Sequence, residues 1–256
     1  MELFDTHCHI DFPVFDADRK VLIQKAEAVG VKNIMVPGVK KEDWRLLRMH
    51  VALNKNLHAA LGLHPLFIDQ HKDKHLHDLE MALNLPPVSA VGEIGLDFYN
   101  PDCNREKQEM FFRAQIKIAG HKELPVILHV RKAHTEVLKH IKMMNFKQGG
   151  IVHAFNGSLE IAKEYIKQGF MLGFGGTMTY ARSVKIRELV KVLPLSSIVL
   201  ETDAPDMIPS SSTSDRNTPV HLLDIFKEFC KLRDESPEEL AAATTANAKK
   251  AFKMDT

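Results

Sequence analysis

Short apolar runs alternate with amphipathic stretches along the whole chain. The runs are LFDTHCHI (3–10), NIMVPGV (33–39), LHAALGLHP (57–65), VSAVGEIGLD (88–97), PVILHVR (125–131), GGIVHAF (149–155), FMLGFGGT (170–177) and SIVLETDAP (197–205). Each is bounded by Gly, Pro, Asn or Ser and rich in β-branched and other apolar residues, the pattern of strands buried on both faces. Helical patterns lie between them. Residues 16–29 put Val21, Leu22, Lys25, Ala26 and Val29 on one stripe, and residues 104–120 do the same with Phe111, Phe112, Gln115, Ile116 and Ala119. Gly30 and Gly169 stand where helices should stop, and Ser158 ahead of Glu160 and Ile161 reads as a helix start.

Eight strand candidates, each followed by a helix candidate, start at spacings of roughly 21 to 37 residues, the length of a β-loop-α-loop unit. Eight such units in about 250 residues predict a (β/α)8 TIM barrel. A doubly wound open sheet is the rival, but no G-x-G-x-x-G follows the first run. SPEELAAATTANAKKAF (236–252) predicts an extra helix, expected on the outside, so residues 1–256 are expected to form one barrel domain with an added C-terminal helix. The one stretch expected to be flexible is PSSSTSDRNTP (209–219).

Polar residues inside the apolar runs carry the chemistry. His7 and His9 end the first run, two apart, so period-two geometry sends both side chains to one face and Cys8 to the other. His64, Glu93, His129, His153 and Asp203 fall toward the ends of the third, fourth, fifth, sixth and eighth runs. Ionisable groups are expensive to bury unless paired or metal-bound. A lone one would read as a satisfied core residue, but seven at the C-terminal strand ends mark the rim where a barrel builds its site. Imidazole and carboxylate without thiolate suit Zn, Mn, Fe, Co or Mg. His7, His9 and Asp203 could hold one ion and His129 and His153 a second, with Glu93 bridging the two. Such a pair clamps an in-line displacement at phosphorus and yields an activated water, whose proton Asp203 is placed to take as ligand and general base together.

Composition narrows the class. The 256 residues are 45% hydrophobic and 26% charged, an ordinary globular mixture, and no apolar run is long enough for a spanning helix. Lys plus Arg number 34 against 33 Asp plus Glu, so the net charge of +1 argues against a large basic footprint on duplex DNA. Cys8, Cys103 and Cys230 form no C-x-x-C pair and no disulfide framework, and the opening MELFDTHCHI carries no secretory signal pattern. We expect a reducing compartment, cytosolic or nuclear, with the cytoplasm as the working choice. Of the 14 His, those in QHKDKHLHDLE (His71, His75 and His77) read as a solvated helix start rather than a metal cluster. The glycines of GFGG (173–176) lack the Lys-Ser/Thr of a P-loop and read as close backbone packing. Arg216 could serve loop order or substrate phosphate equally.

DTHCHID, PGV, LGLHP, VGEIGLDF, LPVILHVR, VHAFNGS, GFGGTMTY, LETDAP and RNTP resemble, in order and spacing, the motifs of the TatD family of metal-dependent hydrolases, from residue 3 to about 252. The resemblance implies a metallo-dependent hydrolase barrel that binds divalent metals, typically two (Mg, Mn or Zn). It implies His7, His9, Glu93, His129, His153 and Asp203 as ligands, with Glu93 and Asp203 catalytic. His64 would face the substrate phosphate, and Arg131 is a weaker candidate for the same task. Several members of the family trim DNA from the 3′ end. The expected function is therefore a phosphodiesterase acting through metal-activated water on DNA ends or short single strands, with Arg131, Lys132, Arg182 and Arg216 adding cationic contacts at the rim. A hydrolase of a small amide or ester on the same site is the alternative. A non-catalytic metal-binding or scaffold protein is the third class, and retention of all six ligands argues against it. No heptad or interface stripe appears, so a monomer is expected.

Overall fold

The structure, a computed structural model, describes residues 1–254. Among these, eight parallel strands pair in sequence order: β1 Leu3–Asp5, β2 Val31–Pro37, β3 Leu57–Leu61, β4 Ala90–Asp97, β5 Val126–Arg131, β6 Gly150–Val152, β7 Phe170–Phe174 and β8 Ile198–Leu200. The helices α1 Arg19–Ala28, α2 Trp44–Ala52, α3 Lys74–Ala82, α4 Arg105–His121, α5 His134–Met143, α6 Leu159–Lys167, α7 Val184–Val192 and α8 Leu222–Leu232 follow the strands in turn, and α9 Pro237–Ala251 comes last. A bridge between Cys8 and Ala204 joins the two ends of the sheet just past β1 and β8. This is the (β/α)8 barrel that the run-and-stripe pattern predicts. No described helix is long and apolar enough to cross a membrane.

Local signals place several helix ends. Ser158 accepts a hydrogen bond from the Ile161 amide at the start of α6. Gly30 and Gly169 take positive φ just past α1 and α6, where a side chain would strain the turn. The α4 stripe is buried as expected, whereas α1 buries Leu22, Ile23 and Ala26 and leaves Val21 exposed. A three-residue 3₁₀ turn at Pro13–Phe15 precedes α1, which starts at Arg19.

Apolar residues divide into two layers. The larger cluster fills the space between strands and outer helices. The smaller one lies inside the barrel and contains Phe4, Met35, Ala60, Ala90, Ile127, Ile151, Met171 and Val199. Strand alternation makes that inner layer the floor of the site. Two residues beyond Ile127, Ile151 and Val199 come His129, His153 and Glu201, and four beyond Ala60 comes His64.

The last helix departs from expectation. It does not lie on the outside: Ala248, Ala251 and Phe252 join the inner cluster, with Phe252 5.7 Å from Phe4 between ring centroids. The reason is its buried face of small residues, Ala241, Thr244, Thr245, Ala248 and Ala251, which lets the helix approach the strand starts closely. Asn247 Nδ2 then donates to the carbonyls of Leu195 and Ile198, and Thr245 Oγ1 to that of Glu2, satisfying backbone groups at the barrel floor. Several strands are also shorter than their apolar runs. β1, β6 and β8 stop at Asp5, Val152 and Leu200, so His7, His9, His153 and Asp203 stand on the segments that follow rather than in the ladder.

Candidate metal centre

Backbone pairing beyond the strand ends sets the site. The Thr6 amide donates to the Leu200 carbonyl, the Asp203 amide to that of His7, and the His9 amide to that of Ala204 (3.1, 2.8 and 2.8 Å). The first and last segments of the barrel are thereby zipped together, and His7 and His9 face Asp203. Among the non-glycine residues here, Ala154 and Asp203 hold positive φ, at 44° and 56°. Such strained backbone persists where surrounding contacts hold it, and it clusters at functional sites.

Glu93 lies at the centre, 2% exposed, inside β4. Its two oxygens face different sets of imidazoles. Oε2 is 3.1 Å from His7 Nε2 and 3.7 Å from His9 Nε2, while Oε1 is 3.1 Å from His129 Nδ1 and 3.2 Å from His64 Nε2. Asp203 Oδ1 is 3.6 Å from His7 Nε2, and its Oδ2 is 3.6 Å from His153 Nε2. His7 and His153 stack with centroids 3.6 Å apart. Three sets of ligating atoms each gather within 4.8 Å: His7, His9 and Glu93; His7, His153 and Asp203; His64, Glu93 and His129.

Every residue singled out in the strand runs therefore arrives at one place, but the partners differ from the expected division. His153 stands with His7 and Asp203, and its ring centroid is 6.5 Å from that of His129. His64 takes the position beside His129. The turn at Ala154 and the Glu201 carboxylate, whose Oε1 is 3.0 Å from His153 Nδ1, hold that ring toward the β8 side.

The electrostatics fit a cation on the His7 and His9 side, whereas at His153 and His129 neighbouring carboxylates outweigh burial and raise the imidazoles, His153 to about 10. Burial pushes His7 well below the usual imidazole range and His9 down to about 4, so both are neutral with lone pairs free to ligate. Burial opposes the charge on Glu93, but the facing imidazoles, His64 foremost and His129 through a hydrogen bond, outweigh it and hold the carboxyl well below its ordinary range. Burial raises Asp203 to about 7. The donors are imidazole nitrogen and carboxylate oxygen only, and they crowd more closely than hydrogen bonds among themselves can satisfy. Buried His7 Nδ1 and His9 Nδ1 have no hydrogen-bond partner. The set suits Zn, Mn, Mg or a similar divalent ion.

A supporting layer lies behind this one. Asp97 Oδ2 is 2.9 Å from His129 Nε2, and its backbone is gripped from both sides by Gln108. Glu201 Oε1 also accepts from the Ala154 amide, and Asp5 accepts from the Thr202 amide and hydroxyl. Asn217 of the RNTP motif donates to the carbonyls of Thr202 and Asp206 and so ties the loop after β8. Sequence reasoning missed Asp97 and Glu201, although the signal was present: both are acids inside apolar runs, at even spacing from Glu93 and Asp203. His71 and His75 are a correction. They are buried rather than solvated, and His71 Nε2 is 2.9 Å from the His64 carbonyl. Wedging against Phe111 draws the His71 ring inward.

Two hollows open onto the cluster and share His129, His153, Asp203 and Asp206. One of about 210 Å³ runs past His9 and His64 to Phe12, Leu66 and Phe67. The other, of about 550 Å³, runs past Arg131, Asn156, Phe174 and Met207. GFGG packs closely, as read: a methyl on Gly173 would collide with the Glu201 carboxylate. Arg131 is exposed, with its guanidinium 3.7 Å above the Tyr99 ring. Arg216 is committed to loop order, pairing with Asp18 and the Val14 carbonyl and lying over Phe15. A separate apolar hollow of about 470 Å³ beside α9 includes none of these ligating groups.

Residues 4–253 match the family described as TatD related DNase. The chain is 40% identical over 252 residues to the uncharacterized metal-dependent hydrolase YjjV of Escherichia coli (strain K12), covering 98% of this chain and 97% of that one. The crystal structure of that Escherichia coli TatD homolog superposes with a TM-score of 0.95 at 39% identity, over 99% of this chain and 98% of the other. A protein of Citrobacter koseri named 3'-5' ssDNA/RNA exonuclease TatD is 30% identical over 256 residues, 98% of each chain.

Proposed function

The chain belongs to the TatD-related DNase family, and on that premise we propose that it is a divalent-metal-dependent phosphodiesterase that trims single-stranded DNA from the 3′ end. The observation that carries this reading is Glu93, with one oxygen toward His7 and His9 and the other toward His129 and His64. A carboxylate so placed would help to hold divalent ions. His7, His9, Glu93, His129, His153 and Asp203 would hold them. Bound there, divalent ions supply Lewis acidity at the phosphoryl oxygens and make water a nucleophile near neutral pH.

The chain's own groups do the rest. Asp203 accepts the proton of the attacking water and can return it to the leaving oxygen. His64, at the edge of the smaller hollow, faces a phosphate oxygen of the substrate. Arg131 meets the strand at the mouth of the larger hollow. We take the one barrel with its closing helix as the functional unit, acting as a monomer in the cytoplasm.

The test is a labelled single-stranded oligonucleotide incubated with the protein and Mg, Mn or Zn. Wild type shortens it from the 3′ end, and Glu93→Ala and Asp203→Ala do so at least about a hundredfold more slowly, beyond the loss typical of residues that only support metal ligands. The 210 Å³ hollow, with apolar walls at Phe12, Val39, Leu66 and Phe67, favours a second reading, a small amide or ester substrate. An intact oligonucleotide together with metal-dependent cleavage of small esters or amides would decide for it.

A further inference from the structure

Beside Arg131, which lines the larger hollow, Tyr99 is 54% exposed, and two cations lie against its ring. The Arg131 guanidinium is 3.7 Å from the ring centroid and Lys132 Nζ is 4.8 Å from it. Consecutive strand residues point to opposite faces. Lys132 escapes that alternation because it follows the end of β5 with φ at 54°, a conformation unfavourable for a side chain with a Cβ. The strain brings both cations to one ring that the fold leaves in solvent.

The arrangement is fastened to the metal centre. The Tyr99 amide donates to Asp97 Oδ1 at 2.9 Å, and the other oxygen of that carboxylate is 2.9 Å from His129 Nε2. The Phe98 amide donates to the Arg131 carbonyl at 2.9 Å. Arg131 also lines the hollow that ends at His129, His153 and Asp203.

We propose that Tyr99, Arg131 and Lys132 form a stacking platform for a nucleotide of a single-stranded nucleic acid next to the bond being cut. This deepens the phosphodiesterase reading above and rests on it. Aromatic rings and guanidinium planes both stack unpaired bases. An unpaired base lies on the Tyr99–Arg131 tier, and Lys132 meets the adjoining phosphate. Paired bases keep their faces inside the duplex, so the platform selects single strands in a protein whose net charge of +1 gives little general hold on DNA.

Binding tests this without turnover. Anisotropy of a labelled oligo(dT) is followed with the full-length protein in EDTA, for wild type, Tyr99→Ala and Tyr99→Phe. Tyr99→Ala should weaken binding roughly 5- to 100-fold, the range a lost base–aromatic stack produces, with thermal melting unchanged, and Tyr99→Phe should bind like wild type. Equal affinity of wild type and Tyr99→Ala, absence of wild-type binding, or a loss in Tyr99→Phe as large as in Tyr99→Ala would each overturn the platform. Failure of the phosphodiesterase reading is a separate outcome: wild type binds the strand, Tyr99→Ala does not, and no metal promotes cleavage.

Discussion

Asp97 Oδ2 lies 2.9 Å from His129 Nε2 while the opposite nitrogen of the same ring faces Glu93, so two carboxylates of one strand fix the imidazole from both sides. Asp97 thus sets which nitrogen points into the centre. Asp97→Asn should weaken activating-metal affinity by about 10- to 100-fold, as loss of such an outer partner typically does. Titration of activity and of calorimetric heat with Mn reads this directly. Unaltered affinity would show that His129 needs no such support.

Gly95 lies between Glu93 and Asp97 with φ at 151°, and a methyl there would run into the His129 carbonyl. Gly95→Ala combines strained backbone with a clash against a neighbouring strand. We expect a loss of about 3 kcal/mol or more in urea denaturation, from backbone strain and overpacking together. Activity should fall further than stability alone explains, because the displaced strand carries His129. A loss under about 1 kcal/mol, the scale of an ordinary substitution, would mean the strand pair can open at little cost.

Metal removal should be visible in both activity and melting. EDTA abolishes turnover, and added divalent ion restores it. An ion that binds only the folded chain stabilises by about 2.7 kcal/mol at one hundred times its Kd. The melting temperature of wild type should rise with metal concentration, and that of Glu93→Ala should stay nearly flat. Parallel rises in both proteins would place the ion elsewhere.

Among the contributors to acid sensitivity away from the centre is His58. Burial pushes His58 down to about 4, and its Nε2 is 2.9 Å from Asn33 Oδ1. The unfolded chain binds a proton there near pH 6.5 and the folded chain does not. Stability from this group is therefore complete above about pH 6.5 and declines as pH falls toward about 4. His58→Gln removes the proton uptake. In EDTA, melting of wild type should drop more than that of the variant between pH 7.5 and 5.0, and an equal drop in both would dismiss the contribution.

Much of the centre was legible because buried strands tolerate few ionisable groups. Glu93, His129, His153 and Asp203 stood out against Ile, Val and Leu neighbours, and period-two spacing gave their direction. Asp97 and Glu201 obey the same rule, as acids at even spacing from Glu93 and Asp203. The grouping of His153 with His7 depends on a backbone turn at Ala154 that no residue type signals, since Ala seldom takes positive φ. His71 and His75 have charged neighbours in sequence, yet both are buried, His71 with its ring near Phe111 of α4. The place of α9 was hidden for a different reason. Its small residues suit either an outer groove or the barrel floor, and only Phe252 meeting Phe4 decides between them.

The zip between the segments after β1 and β8 joins residues nearly two hundred positions apart, as in the hydrogen bond from the Thr6 hydroxyl to the Leu200 carbonyl. Closing the barrel and bringing His7 to Asp203 are one event. During synthesis His7 and His9 wait for the segment after the eighth strand, so the centre cannot assemble until Asp203 has been made. Contacts this distant in sequence form slowly. Restoration of metal affinity after refolding is thus a clock for the last long-range step, and a circular permutation that joins the ends through α9 would have to leave both sides of this seam intact.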